Sequence, residues 1–159
     1  MSASAALLEV KDLRVSYGRV EAVRGVSIEV AAGEFVAIIG SNGAGKSSML
    51  KAVAGVVRPS GGHVTFNGTD TTGWPSHAMV KAGLAMVPEG RHVFSDQTVE
   101  DNLKLGAYSR ALTAPEQATR LEEAFTLFPR LAERRAPLAR SLSGGGAEKR
   151  PTAPGPKFG

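Results

Sequence analysis

The sequence predicts an α/β protein built around a phosphate-binding loop. Three observations carry this. Apolar residues alternate with polar ones through the first part of the chain, a glycine-rich loop at 40–47 separates an apolar run from a helical stretch, and capped helical segments take over from about residue 72.

The elements follow in order. Leu13, Val15 and Tyr17 alternate with polar neighbours, as do Val26, Ile28 and Val30, and later Val64 and Phe66, which is the period of half-buried strands. "GRV", "AAGE" and "SGGH" supply turns between them. "EFVAII" is continuously apolar, the pattern of a strand covered on both faces in a parallel sheet. "KSSMLKAVAGVV" follows the glycine loop with helical spacing of Met49, Val53 and Val56. Thr98 with Asp101, and Thr113 with Glu116, have the spacing of capping boxes and place two helix starts, the second with Pro115 in its first turn. Ala118, Leu121, Phe125 and Phe128 then share a face that is expected to pack as core, and Pro129 ends that helix. The last stretch, "GGGAEKRPTAPGPKFG", has no periodicity, is rich in glycine and proline, and reads as a disordered tail.

Composition narrows the function classes. A chain of 159 residues, 42% hydrophobic and 21% charged, is sized for about one soluble globular domain. It has no cysteine, which excludes disulfides, thiolate zinc sites and cysteine nucleophiles. His63, His77 and His92 are too scattered for a metal motif. No apolar run reaches the roughly 18 residues of a membrane span, and "MSASAALLEV" lacks the form of a secretory signal, so a cytoplasmic location is expected. Of the net charge of +4, half lies in residues 146–159, where Lys149, Arg150 and Lys157 outnumber Glu148. What remains is a mildly basic surface, and no nucleic-acid partner is expected.

Residues 40–47 match G-x-x-x-x-G-K-[ST] between a predicted strand and a predicted helix. Gly40, Gly43 and Gly45 permit backbone angles closed to other residues, and with Ser41, Asn42 and Ala44 they turn main-chain N–H groups inward to form an anion-sized nest. The helix starting near Lys46 adds its positive end and its free N–H groups, including that of Ser48. Lys46 reaches the β and γ phosphates, and the Ser47 hydroxyl is the expected Mg²⁺ ligand. Tyr17, in "VSYGRV", has two readings: a cross-strand aromatic contact, which residue type alone favours, or a ring stacked on adenine.

Together, "VSYG", "GSNGAGKSS" and "SLSGG" at 141–145 resemble, in order, the adenine-stacking loop, phosphate loop and signature motif of the ATP-binding subunits of ATP-binding cassette (ABC) transporters. The resemblance runs from about Leu7 to Gly145. "GLAMVPEGRHVFSDQTVEDNL" at 83–103 is similar to the corresponding stretch in the ATPase subunits of branched-chain amino acid importers. It implies an ABC-type P-loop NTPase fold: an antiparallel β subdomain with a partial RecA-like core over 1–71, a helical subdomain over 72–145, and a non-family tail over 146–159. It implies ATP and Mg²⁺ as cofactors, with Tyr17 on adenine. Glu89, by residue type a solvated loop carboxylate, becomes a sensor of the metal or the γ-phosphate.

By the same resemblance Ser143, Gly144 and Gly145 serve the ATP held by a partner subunit. The implied partners are a second ATP-binding subunit, transmembrane permease subunits and, indirectly, an extracellular or periplasmic substrate-binding protein. The implied location is peripheral, at the inner face of the cell membrane. The alternatives are a transporter of urea, amides or another substrate, and a nucleotide-binding fragment without catalysis. A phosphate-loop GTPase or small-molecule kinase leaves "SLSGG" unexplained.

The sequence departs from the family's pattern after the signature. The apolar strand ending in Asp-Glu, and the later histidine, are missing. Glu100 with Asp101 and Glu122 with Glu123 sit in predicted amphipathic helices and do not replace them. No general base for hydrolysis is identified, and the expectation is a truncated or frameshifted product. Its core sheet is short of strands and leaves apolar surface uncovered.

Overall fold

The computed structural model describes residues 6–90, 93–108 and 112–139. They fall into two compact units, Met1–Pro88 and Glu89–Gly159.

The first unit is led by a long hairpin, β1 (Ala6–Tyr17) and β2 (Val20–Ala31), followed by α1 (Lys46–Val53), β3 (Gly61–Phe66), the two-residue β4 (Thr69–Asp70) and α2 (Ser76–Ala82). The strands form one sheet in the order β2-β1-β3-β4. Every pairing is antiparallel. The predicted alternation in β1 and β2 is present, with one device that the pattern does not show. The register shifts between Val10 and Leu13, where Asp12 has φ 48° and donates its N–H to the Ser27 hydroxyl at 2.9 Å. This bulge resets the alternation, so that Val10, Leu13 and Val15 all reach the core. Val23 of β2, Val64 of β3, and Met49, Ala52 and Val53 of α1 complete that core between sheet and helix. Val56 lies beyond the end of α1 and is exposed, and the glycines of "SGGH" open β3 rather than forming a turn.

"EFVAII" is not a strand. Residues 34–41 have no sheet pairing, and the side chains of Phe35 and Ile39 are 91% and 94% exposed. The reason is supply rather than propensity. A strand apolar on both faces is stable only between hydrogen-bonded neighbours with layers on both sides, and the four strands of the described residues pair among themselves. The uncovered apolar surface expected of a sheet short of strands is therefore found at this segment.

The second unit contains α3 (Val99–Ala107), α4 (Ala114–Leu127) and the short α5 (Pro129–Ala132). Both predicted helix starts are in place. Thr98 Oγ1 accepts the Asp101 N–H at 3.0 Å and donates to the Asp101 carboxylate at 2.6 Å. The Glu116 carboxylate accepts from the Thr113 N–H at 2.8 Å and from its hydroxyl at 2.7 Å. Of the predicted α4 stripe only Leu121 and Phe125 are buried. Ala118 is exposed, and Phe128 falls at the break where Pro129 restarts the chain as α5, which turns its ring outward. Among the described residues no helix is long and apolar enough to cross a membrane.

Candidate functional site

The glycine loop is positioned by β2 and finished by α1. After β2 the chain turns through Ala32 and Gly33, clasped by the Glu34 carboxylate, which accepts the Ala31 N–H at 2.7 Å. It then runs to Gly40. Gly43 and Gly45 have φ of 84° and 89°, the left-handed region that strains any other residue. Gly45 has a second reason to be glycine: a Cβ there would collide with the Ala22 carbonyl of β2, so the loop's close approach to the sheet depends on it. Ala44 donates to the Ser41 carbonyl at 3.2 Å, and Met49 donates to the Gly45 carbonyl at 2.9 Å as the first bond of α1.

The electrostatics of the loop are those of an anion site. α1 has no side-chain cap and no acidic residue in its first turn, so its positive end is left uncompensated by the protein. Lys46 folds back over the loop, and its ammonium donates to the Gly40 and Ser41 carbonyls, each at 2.7 Å. One cation thus spans the loop from exit to entrance. Ser47 is exposed and Ser48 half-buried in the first turn, while Ser41 and Asn42 lie at the exposed rim.

Beside the loop lies a groove of about 590 Å³, walled by Val20, Ala22 and Val26 of β2, by Ile38 and Ile39, and by residues 43–46 and Met49. Tyr17 pairs with Val20 at the end of the hairpin and is 46% exposed, so its ring is free to take a second contact. The structure thereby brings the phosphate-loop residues together, with Tyr17 on the same hairpin that walls the groove. Glu89 is exposed in the irregular stretch that opens the second unit, next to Gly90 with φ 97°. Ser143, Gly144 and Gly145 lie outside the described residues. Among the described residues no cluster of His, Asp or Glu with metal-binding geometry occurs.

Two clasps in the second unit escaped the sequence reading. The Asn102 side chain accepts the Phe94 N–H at 2.8 Å and donates to the carbonyls of Phe94 and Thr98 at 3.0 and 2.9 Å. Arg135 donates to Glu100 at 2.6 Å and to Glu122 at 2.9 Å, and its guanidinium sits 4.6 Å from the centre of the Phe125 ring. Lys104, at 2.6 Å, and then Arg135 hold the Glu100 carboxyl below its ordinary pKa. Phe94 lies 8 residues from Asn102, and Glu100 and Glu122 lie 35 and 13 from Arg135, beyond any local pattern; Thr98, 4 residues from Asn102, is the local partner. The acidic pairs are therefore engaged: Glu100 and Glu122 with Arg135, Asp101 with Thr98, and Glu123 with Arg120 at 2.8 Å.

A hairpin-led antiparallel sheet, a glycine loop that runs into an uncapped helix, and a helical unit beyond it define the class as a phosphate-loop nucleotide-binding fold. Residues 23–150 match the family model for "ABC transporter". The branched-chain amino acid transport ATP-binding protein BraG of Pseudomonas aeruginosa is 37% identical over 139 residues, covering 87% of this chain and 59% of that protein. The probable branched-chain amino acid transport ATP-binding protein LivF of Archaeoglobus fulgidus is 33% identical, covering 87% and 58%. The arabinose import ATP-binding protein AraG of Azospirillum brasilense is 35% identical over 127 residues, covering 80% of this chain and 24% of that protein. A nucleotide-free ATP-binding cassette from an ABC transporter superposes with a TM-score of 0.71 at 25% identity, covering 88% of this chain and 60% of that one. A dimeric bacterial ABC transporter cassette superposes with a TM-score of 0.74 at 22% identity, a likeness of fold, covering 87% and 64%. The chain belongs to the ABC transporter family. It spans a little under three fifths of the length of BraG and LivF.

Proposed function

We propose that this chain is the nucleotide-holding part of an ABC transporter ATP-binding subunit that energises the uptake of branched-chain amino acids. The observation that carries the reading is the loop itself: two left-handed glycines, a helix start with no protein counter-charge, and a lysine ammonium bridged across the loop mouth. Lys46, now held by the Gly40 and Ser41 carbonyls, would be the partner of a triphosphate, and the amides at the start of α1 would receive its phosphate oxygens. The groove along β2 would take adenine, with the exposed Tyr17 ring of the same hairpin available to stack on it. Of the two hydroxyls in the first turn of α1, Ser47 is the more exposed and would hold Mg²⁺, whose chemistry is to neutralise charge on the β and γ phosphates. Glu89 senses the metal or γ-phosphate, and Ser143, Gly144 and Gly145 complete the site of a second ATP-binding subunit.

The substrate follows from BraG and LivF, both named for branched-chain amino acid transport; AraG, named for arabinose import, marks the alternative. Permease subunits are the membrane partners, a substrate-binding protein acts through them, and the location is the cytoplasmic membrane surface. The engagement of Glu100, Asp101, Glu122 and Glu123 in local contacts favours a second reading, in which the chain binds nucleotide without hydrolysing it.

Calorimetry of ATP binding with Mg²⁺, beside Lys46→Ala and with phosphate release followed in the same samples, tests both. Saturable binding lost in the variant supports the site. Absence of phosphate release then favours the non-catalytic reading, and release that depends on Lys46 refutes it. No binding by the native chain overturns the proposal.

A further inference from the structure

The groove beside the phosphate loop is apolar along most of its wall, but Glu21 and Arg24 of β2 also line it. Among the described residues Glu21 is its one carboxylate, and no hydroxyl or amide side chain joins it, so Glu21 is the groove's one strong side-chain acceptor. Its place along the strand is fixed by its two neighbours. The Ala22 carbonyl lies close against Gly45 of the phosphate loop, and Val20 pairs with Tyr17 at the hairpin end. Glu21 therefore falls between the loop and Tyr17, on a path of two strand steps, roughly 7 Å, from Ala22 to Val20. A nucleoside triphosphate with its phosphates at the loop and its base at Tyr17 presents its ribose there. The two ribose hydroxyls are donors, and the two oxygens of one carboxylate accept from both. The Glu21 carboxylate has the capacity: its oxygens lie 3.8 Å from Arg14 Nη1 and from Arg24 Nε, near enough for Coulomb attraction and beyond hydrogen-bond distance. Its side chain is 39% exposed, which leaves lone pairs open to a ligand, and the two guanidinium groups offset its charge beside an anion.

We propose that Glu21 is the ribose-binding residue of this groove and makes it selective for ribonucleotides, an inference that rests on the nucleotide reading of the loop. Arg24 fits less well, because a guanidinium brings donors alone and the hydroxyls are left without an acceptor. A sugar lacking its hydroxyls leaves the Glu21 carboxylate without the partners for which it gave up water, so the analogue binds more weakly.

Calorimetry of the full chain with Mg²⁺ tests this by comparing ATP, 2′,3′-dideoxyATP and inorganic triphosphate. ATP is expected to bind about tenfold more tightly than the dideoxy analogue, the worth of hydrogen bonds to a charged acceptor in a half-exposed place. Glu21→Ala is expected to lower ATP affinity to that of the analogue, and to leave the analogue and triphosphate as they were. Glu21→Gln, which keeps the shape and one acceptor oxygen, retains part of the preference. A merely structural role for Glu21 weakens all three ligands together in both variants, and that result overturns the proposal. Equal binding of ATP and the analogue by the native chain also overturns it, while the nucleotide reading stands. So does a preference that survives Glu21→Ala and is lost in Arg24→Gln, which assigns the ribose to Arg24. No ATP binding by the native chain overturns the nucleotide reading and this inference with it.

Discussion

β1 and the run at 35–39 belong to the same compact unit and are both rich in strand-forming residues, yet one is the centre of a sheet and the other is unpaired. β1 is flanked by β2 on one edge and β3 on the other, and its Val10, Leu13 and Val15 are buried under α1. The run at 35–39 has a stronger apolar pattern and no hydrogen-bonded strand neighbour among the described residues. Apolar patterning states what a segment needs, and hydrogen-bonding neighbours decide whether it becomes a strand.

Substitutions at the two places separate them most sharply. Leu13→Ala, at a fully buried position, is expected to cost about 2–5 kcal/mol in denaturant unfolding, because it leaves a cavity that the sheet and α1 cannot collapse into. Ile39→Ala removes a side chain already in water and is expected to change stability by no more than about 0.5 kcal/mol. Equal losses would break the comparison.

Gly45→Ala probes the junction between the regions, where the loop touches β2. With φ of 89° and the Ala22 carbonyl in the way, the variant is expected to lose about 1–3 kcal/mol through strain, and ATP affinity should fall with it in calorimetry. Thr98→Ala, which removes the α3 cap, is expected to cost about 1 kcal/mol in thermal unfolding, provided that the unfolding of the second unit can be followed separately.

The smallest expected effect is one of pH. Lys104 and then Arg135 lower the Glu100 pKa, and hydrogen bonds from Thr113 lower that of Glu116. A carboxyl with a lowered folded pKa binds fewer protons than in the unfolded chain, so its stabilisation is complete above the ordinary carboxylate range and is lost as pH falls through the folded value. The denaturation midpoint should therefore drop below about pH 4.3, with Arg135→Gln making the drop shallower. Both carboxylates are exposed, which keeps the effect small.

Much of this was legible in the sequence. Alternation placed β1, β2 and β3, the Thr98 and Thr113 boxes placed α3 and α4, and the glycine spacing placed the loop and the start of α1. The strand at 35–39 was misread because a linear pattern carries no information about whether edges are supplied. The α4 stripe was half right for a related reason: Leu121 and Phe125 meet neighbours, whereas Ala118 and Phe128 meet none. The contacts of Asn102 with Phe94 and of Arg135 with Glu100 and Glu122 were invisible because those partners are brought near only by folding. In the site, the motif located Lys46, but the hydrophobic wall of Val20, Ala22 and Val26 looked in sequence like ordinary strand residues.

The most direct test is residue-resolved amide exchange of the chain alone. Slow exchange of Val10, Val15 and Val23, beside exchange at nearly the unstructured rate for residues 35–39, is the predicted result. Comparable protection of both regions would contradict the account, because it would mean that the run before the phosphate loop finds strand neighbours within this chain.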